Sequence, residues 1–196
     1  MAAILIAEVA PSGGNILVVG AGSGLEIRYF ASVEAGWRFV GVDPAAAMRD
    51  LARAVAAFAA GNRMTLIEGN VKAAPSGPFD ASTCILVLGL VKDDGAKLAL
   101  LSETRGKLKA GAPFILVDQC IDLAAADAGR RLDRDASFAR RSGVDPGVVA
   151  GARAAVGQMA TMVPDWRNVQ LLEEAGFRDA AVFYGGMAWR GWVAYA

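Results

Sequence analysis

A short apolar run, Asn15-Ile16-Leu17-Val18-Val19, opens directly into Gly20-Ala21-Gly22-Ser23-Gly24, and this junction constrains the fold more than any other stretch of the chain. An unbroken apolar run closed by glycines reads as a strand buried on both faces, the habit of parallel sheets covered by helices. Glycines at the turn let the backbone pass close to a ligand. The helix expected next, over 23–34, aims its first N–H groups at the same place. The pattern then repeats. Strands are expected over 37–42, 63–68, 79–88 and 113–117. Between them Met48, Leu51, Val55 and Phe58 recur at helical spacing before Gly61, and Leu98, Leu101 and Leu108 mark a helix that stops at Gly111. Strand and helix in alternation imply parallel βαβ units with right-handed crossovers.

The rhythm changes after the fifth strand. Residues 121–163 carry no strand pattern and read as two helices broken at Ser142-Gly143, the second opened by Asp145-Pro146 as N-cap and first-turn proline. A further helix over 166–175 stops at Gly176. Two last β-like runs, 180–184 and 189–195, are joined by Gly185-Gly186, and so tight a link permits only an antiparallel pair. With no repeat and no linker, the 196 residues are expected to form one α/β domain with a helical insertion at about 121–163.

Composition narrows the chemistry. The chain has no histidine, which removes Ser-His and Cys-His catalysis and His-ligated zinc together. Lys+Arg and Asp+Glu balance at 20 each, so no overall field favours nucleic acid or a membrane surface. The longest strongly apolar stretches, 54–60 and 85–90, are far short of the roughly 20 residues needed to span a bilayer. Cys84 and Cys120 sit in apolar runs and are expected as buried free thiols in a reducing, cytoplasmic setting, without metal. The apolar opening, 1–6, lacks a basic leader and is interrupted by Glu8, and it reads as the remnant of a helix.

Asp43 ends the second strand about 20 residues after the glycine turn, where a carboxylate can accept both hydroxyls of a ribose. A dinucleotide site would need its third glycine at the place held by Leu25. Gly-x-Gly-x-Gly with this acid suits instead an adenosine ligand without phosphates.

Several stretches together resemble the class I S-adenosylmethionine-dependent methyltransferase family. They are 16–24, Val40-Gly41-Val42-Asp43-Pro44 with Met48, Glu68-Gly69-Asn70-Val71, Phe79-Asp80 leading into Ile85 to Leu88, Leu108-Lys109-Ala110-Gly111, and Leu171 to Phe177. The likeness covers nearly the whole chain. It implies a Rossmann-like, seven-stranded, mostly parallel sheet with an antiparallel C-terminal hairpin, S-adenosylmethionine as cofactor and S-adenosylhomocysteine as product. It implies that Gly20, Gly22 and Gly24 pass beside the methionine part, that Asp43 holds the ribose, that Asn70 lies by the adenine amino group, and that Ala21, Pro44, Met48, Val71 and Leu86 also line the cofactor site. Asn70 stands where many relatives place an acid, so its contact is uncharged. The sequence departs from the family in two places. Only about a dozen residues precede the first strand where relatives carry a helical cap, and Leu88-Gly89-Leu90-Val91 replaces the polar or aromatic residue often found after strand four. The signature of base-amine methylation is absent, which argues against a DNA adenine enzyme.

The activity so implied is methyl transfer to a small-molecule acceptor by in-line displacement, with Tyr29, Asp93 or Asp118 as the base where one is needed. Met159, Met162 and Trp166 are placed either in an acceptor pocket or in plain helix packing. Arg130, Arg131, Arg134, Arg140 and Arg141, interspersed with Asp127, Asp133 and Asp135, read as a solvated helix face laced by i,i+4 pairs. The alternatives are a non-catalytic S-adenosylmethionine-binding subunit whose cap a partner chain or a second copy completes, and a cofactor-modifying or tRNA-modifying relative.

Overall fold

The computed structural model describes residues 1–159 and 161–196, without the side chains of 157–159. Helix α1 (Ala2–Ala7) leads into β1 (Asn15–Val19), α2 (Leu25–Val33), β2 (Arg38–Asp43), α3 (Ala46–Ala60) and β3 (Met64–Glu68). Then come β4 (Ala81–Ile85), α4 (Ala96–Gly106) and β5 (Pro113–Gln119). The helical insertion is α5 (Ala128–Arg141) and α6 (Pro146–Met159), followed by α7 (Asp165–Glu174) and the hairpin β6 (Arg178–Gly186) and β7 (Trp189–Tyr195).

The seven strands lie in the order β3-β2-β1-β4-β5-β7-β6. The first five are parallel, and β7 runs antiparallel to both β5 and β6. Side-chain alternation divides the core into two layers. Leu17, Val19, Cys84, Phe114, Leu116 and Trp192 pack with Leu101 of α4 and Leu171 and Leu172 of α7. Ile16, Val18, Ala81, Ile115 and Val193 face the other way, onto α1, α2 and α3. Ile6 of α1 is fully buried there, so this short helix seals the sheet face and contributes nothing to the cleft described below.

Three expectations need correction. The fourth strand is shorter than 79–88: Phe79 makes only an isolated bridge to Leu108, and at the other end Leu86 turns left-handed with φ 61°. A 3-10 turn over Leu88–Leu90 follows, so an apolar, β-prone stretch is spent on a bend. The final hairpin turns at Met187-Ala188, with Met187 at φ 53°, while Gly185 and Gly186 lie within β6. Gly186 serves packing: a Cβ there would stand 3.2 Å from the Tyr184 hydroxyl. The α4 helix also stops at Gly106, and a loop covers the remaining distance to Gly111. The break between α5 and α6 falls where expected, and the Asp145 carboxylate accepts the Gly147 and Val148 N–H groups at 2.8 and 3.0 Å.

Candidate functional site

The strand order fixes where a ligand can lie. From β1 the chain crosses toward β2 on one side, and from β4 it crosses toward β5 on the other, so the loops leaving the two neighbouring strands part at their C-terminal ends. A cleft of about 810 Å³ opens at this point. Gly20, Ala21, Gly22, Asp43, Pro44, Met48, Asn70, Val71 and Leu86 all line it. Gly24 does not. It takes φ 76°, and a Cβ there would fall 2.8 Å from the Ala52 Cα, so its role is to let α2 press against α3.

The glycine turn is held by the backbone of β2. Gly20 and Ala21 both donate to the Val42 carbonyl at 2.9 Å. Gly20 adopts φ 69°, and a Cβ would lie 2.3 Å from Val87 Cγ2, so any side chain there would strain the backbone and push Val87 aside. Asp43, 7% exposed, completes the brace: Oδ2 accepts the Gly22 N–H at 2.9 Å and Oδ1 the Ala45 N–H at 2.8 Å. Each oxygen keeps a lone pair toward the cleft, enough for two hydroxyls. The Asn70 amide oxygen accepts the Lys72 N–H at 3.0 Å and caps a 3-10 turn that begins with buried Val71. Its remaining lone pair and its NH₂ group are what it can offer a ligand.

Sequence reasoning missed Glu26. It sits in the first turn of α2 and lines the cleft, and its Oε1 is buried with no hydrogen-bond partner. Burial pushes its carboxyl up to about 7, while the neighbouring Thr83 hydroxyl pulls slightly the other way without completing a bond of its own. The available signal was an acid inside the buried stripe that Ile27 and Phe30 define, but a first-turn acid reads equally as a partner of the helix dipole. Among the described residues, Asp43 and Glu26 are the charged side chains in the cleft wall, and no lysine or arginine joins them.

Leu86 and Leu90 form one wall of the cleft and also one wall of a neighbouring pocket of about 260 Å³. Among the described residues its polar side chains are Asp118 and Gln119 at the end of β5 and the indole of Trp189, and Ala152, Val156 and Met162 help to close it. Through Gln119, Ala152, Val156 and Trp189 it continues into a chamber of about 360 Å³ between α5 and α6, walled by Leu132, Phe138, Val148 and Val149. Met162 is thus brought to the pocket and Trp166, 64% exposed, is not; the Met159 side chain lies outside the described residues.

Of the three expected bases, only Asp118 reaches this place. It is 5% exposed, and its Oδ1 accepts the Gln119 N–H at 2.8 Å. Burial raises its pKa, while the Gln119 and Gly89 N–H groups and the Lys97 ammonium draw it back. Lys97, fully buried, donates to the Leu88 carbonyl at 2.5 Å and so ties α4 to the bend that carries Leu90. Burial lowers the Lys97 pKa, and Asp118 and Asp93 oppose that. Asp93 is committed elsewhere. Arg167 holds it through two bonds of 2.9 and 3.1 Å, which lowers its pKa, and it lines neither cavity. Tyr29 stands half-exposed on α2, outside both.

The arginines of α5 depart from the i,i+4 expectation. Arg153 of α6 pairs with Asp133 at 3.0 Å, Arg131 donates to the Cys120 carbonyl at 3.1 Å, and Asp135 takes the Gln119 amide at 2.5 Å. Arg153–Asp133 thus holds the two insertion helices together, Arg131 and Asp135 fasten α5 to the end of β5, and Arg130 reaches Asp127 at 3.9 Å with i,i+3 spacing. Cys84 and Cys120 are buried free thiols, and burial raises both pKa values, so they stay protonated. No described helix is long and apolar enough to cross a membrane.

A family model for the methyltransferase domain matches residues 17–114, half of the chain. Among solved structures, a candidate O-methyltransferase of Nostoc punctiforme is similar over 100% of this chain and 54% of its own, at 18% identity and TM-score 0.72. Human N-acetylserotonin methyltransferase, solved in complex with SAM, is 18% identical over 94% of this chain and 48% of its own, with TM-score 0.64. A SAM-dependent methyltransferase of Methanosarcina mazei is 20% identical and matches nearly end to end, 97% against 96%, with TM-score 0.68. The chain therefore spans about half the length of the first two and nearly the whole of the third. No curated protein sequence matches it significantly.

Proposed function

The chain belongs to the methyltransferase domain family, and from that premise we propose that it transfers a methyl group from S-adenosylmethionine to a small, largely apolar acceptor. The observation that carries this reading is the charge of the cleft. A crevice of about 810 Å³ at the first crossover, walled by two carboxylates and no basic side chain, repels a pyrophosphate and suits a nucleoside that carries positive charge. Asp43 holds the ribose hydroxyls, and the glycine turn admits the methionine part against bare backbone. Val71, Leu90 and Leu100 supply apolar surface for the base, and Asn70 gives it an uncharged polar neighbour.

When bound, the donor brings an already activated methyl group, so the protein's task is placement and exclusion of water. Leu86 and Leu90 divide the donor cleft from the pocket that would hold the acceptor, and among the described residues Asp118, Gln119 and the Trp189 indole N–H are the side-chain groups there that can address a polar atom. Asp118 accepts the proton of an acceptor hydroxyl as the nucleophile forms. Its buried position favours proton uptake, and the Gln119 and Gly89 N–H groups and the Lys97 ammonium partly oppose it. Lys97 acts through the bend at Leu88 as a positioning residue.

Calorimetric titration with S-adenosylhomocysteine, run beside Asp43→Ala, tests the donor assignment. Binding by the parent and none by the variant is the expected result; equal binding by both would remove the site.

A further inference from the structure

We propose that Glu26 is the contact for the α-ammonium group of the donor's methionine part, and that a proton leaves Glu26 for solvent as the ligand enters. The inference rests on the donor reading above and deepens it. Three observations carry it. Glu26 lines the cleft from the first turn of α2, immediately after the glycine turn along which the methionine part would lie. Its Oε1 is buried and unpartnered, an arrangement rarely left standing in a folded protein unless a ligand or water satisfies it. And the cleft wall offers no cation to pair with it.

The surroundings define what can titrate. From β2 the facing group is Asp43, whose two oxygens already accept backbone N–H bonds. From β4 come the Thr83 hydroxyl and the Cys84 thiol, which burial keeps protonated. From α3 the neighbours are Met48 and Ala52, neither of which ionises. Glu26, pushed up to about 7 by burial, is therefore the group poised to change charge near neutrality. An arriving ammonium favours the carboxylate, the carboxyl O–H proton passes to buffer, and the carboxylate accepts an ammonium N–H in its place. No other bond forms or breaks.

The test is calorimetry across about pH 5.5 to 8.5, in buffers of different ionisation enthalpy, with S-adenosylhomocysteine and with 5′-methylthioadenosine, which lacks the amino-acid part. Affinity for S-adenosylhomocysteine is expected to rise by up to about tenfold for each unit that pH climbs toward neutrality, with release approaching one proton at the acid end, and to level off above about pH 8. Binding of 5′-methylthioadenosine is expected to show no such slope. In Glu26→Gln, an isosteric change, the slope and the proton release vanish, while 5′-methylthioadenosine still binds and reports an intact fold. A slope that survives in Glu26→Gln, or that 5′-methylthioadenosine shares, would overturn the assignment. S-adenosylhomocysteine bound without any slope would overturn it too, and would leave the donor reading standing. Failure of both nucleosides to bind at every pH would overturn the donor reading and Glu26 with it.

Discussion

The two cavities that meet at Leu86 are built by different means. The donor cleft is made of backbone: positive-φ glycines, N–H groups bonded to Val42, and a carboxylate that braces the turn from the adjoining strand. The pocket beside it is made of side chains drawn from separate stretches, 86–90, 118–119, 152–156, Met162 and Trp189. Backbone geometry at a sheet crossover tolerates little change, whereas apolar side chains on an inserted pair of helices can be exchanged for others of similar volume. On the proposed function, donor and acceptor are thereby assigned to different materials.

This contrast can be broken or sharpened by substitution. The largest effect is expected at Asp43→Ala, which removes two charge-assisted backbone bonds and the ribose contact together. Affinity for S-adenosylhomocysteine should fall by about a hundredfold or more, and a loss under about fivefold would mean that the brace is dispensable. Gly20→Ala is expected to cost about 3 kcal/mol of stability, from strain at positive φ and collision with Val87. Denaturant unfolding checks it, and a neutral result would show that the turn has slack.

Glu26→Gln should stabilise the ligand-free protein at pH 8 by about 2 kcal/mol. Because the folded carboxyl titrates near 7 against 4.5 as its ordinary value, the folded state holds the extra proton between these limits. Wild-type stability therefore declines as pH rises from about 4.5 to 7, and the variant should lose that decline; unchanged pH-stability curves would place Glu26 in water. Val156→Phe, which fills the side pocket, should leave S-adenosylhomocysteine affinity within about twofold. A larger change would show that the two cavities are not independent. The smallest effect is expected at Asp93→Asn, at most about 1 kcal/mol, since its pair with Arg167 is partly exposed. The Asp93 pKa is lowered by Arg167, so that contribution exists at neutral pH and disappears as acid protonates the carboxylate, which thermal melting at pH 7 and pH 3 would show.

The same contrast explains what could be read from the residues. Gly20 to Gly22 and Asp43 were legible because local sequence, strand then glycines then helix, dictates backbone shape there. The bend at Leu86 was not, because Leu-Val-Leu-Gly-Leu-Val is as good a strand on propensity as the one that precedes it, and only tertiary packing decides against it. Gly185-Gly186 misled for a related reason: glycines mark turns, but here Gly186 makes room for Tyr184 and the turn falls two residues on. Asp118 was separable from Asp93 and Tyr29 only once their partners and exposure were known. Trp189 gave no signal, since a tryptophan in a last strand usually signifies core.

Leu86 holds an unfavourable backbone angle, an arrangement that costs about 1–3 kcal/mol for a residue with a Cβ. Its side chain serves two rooms at once, and on the proposed function the methyl group would pass it. Replacing it by glycine would relieve the twist and at the same time knock the rooms into one, so a sturdier protein that lets water reach the sulfonium is the expected result. More stable and less productive would be the mark of a leucine kept for its partition rather than for its comfort; a glycine variant that melts lower would show that the bend relies on the side chain itself.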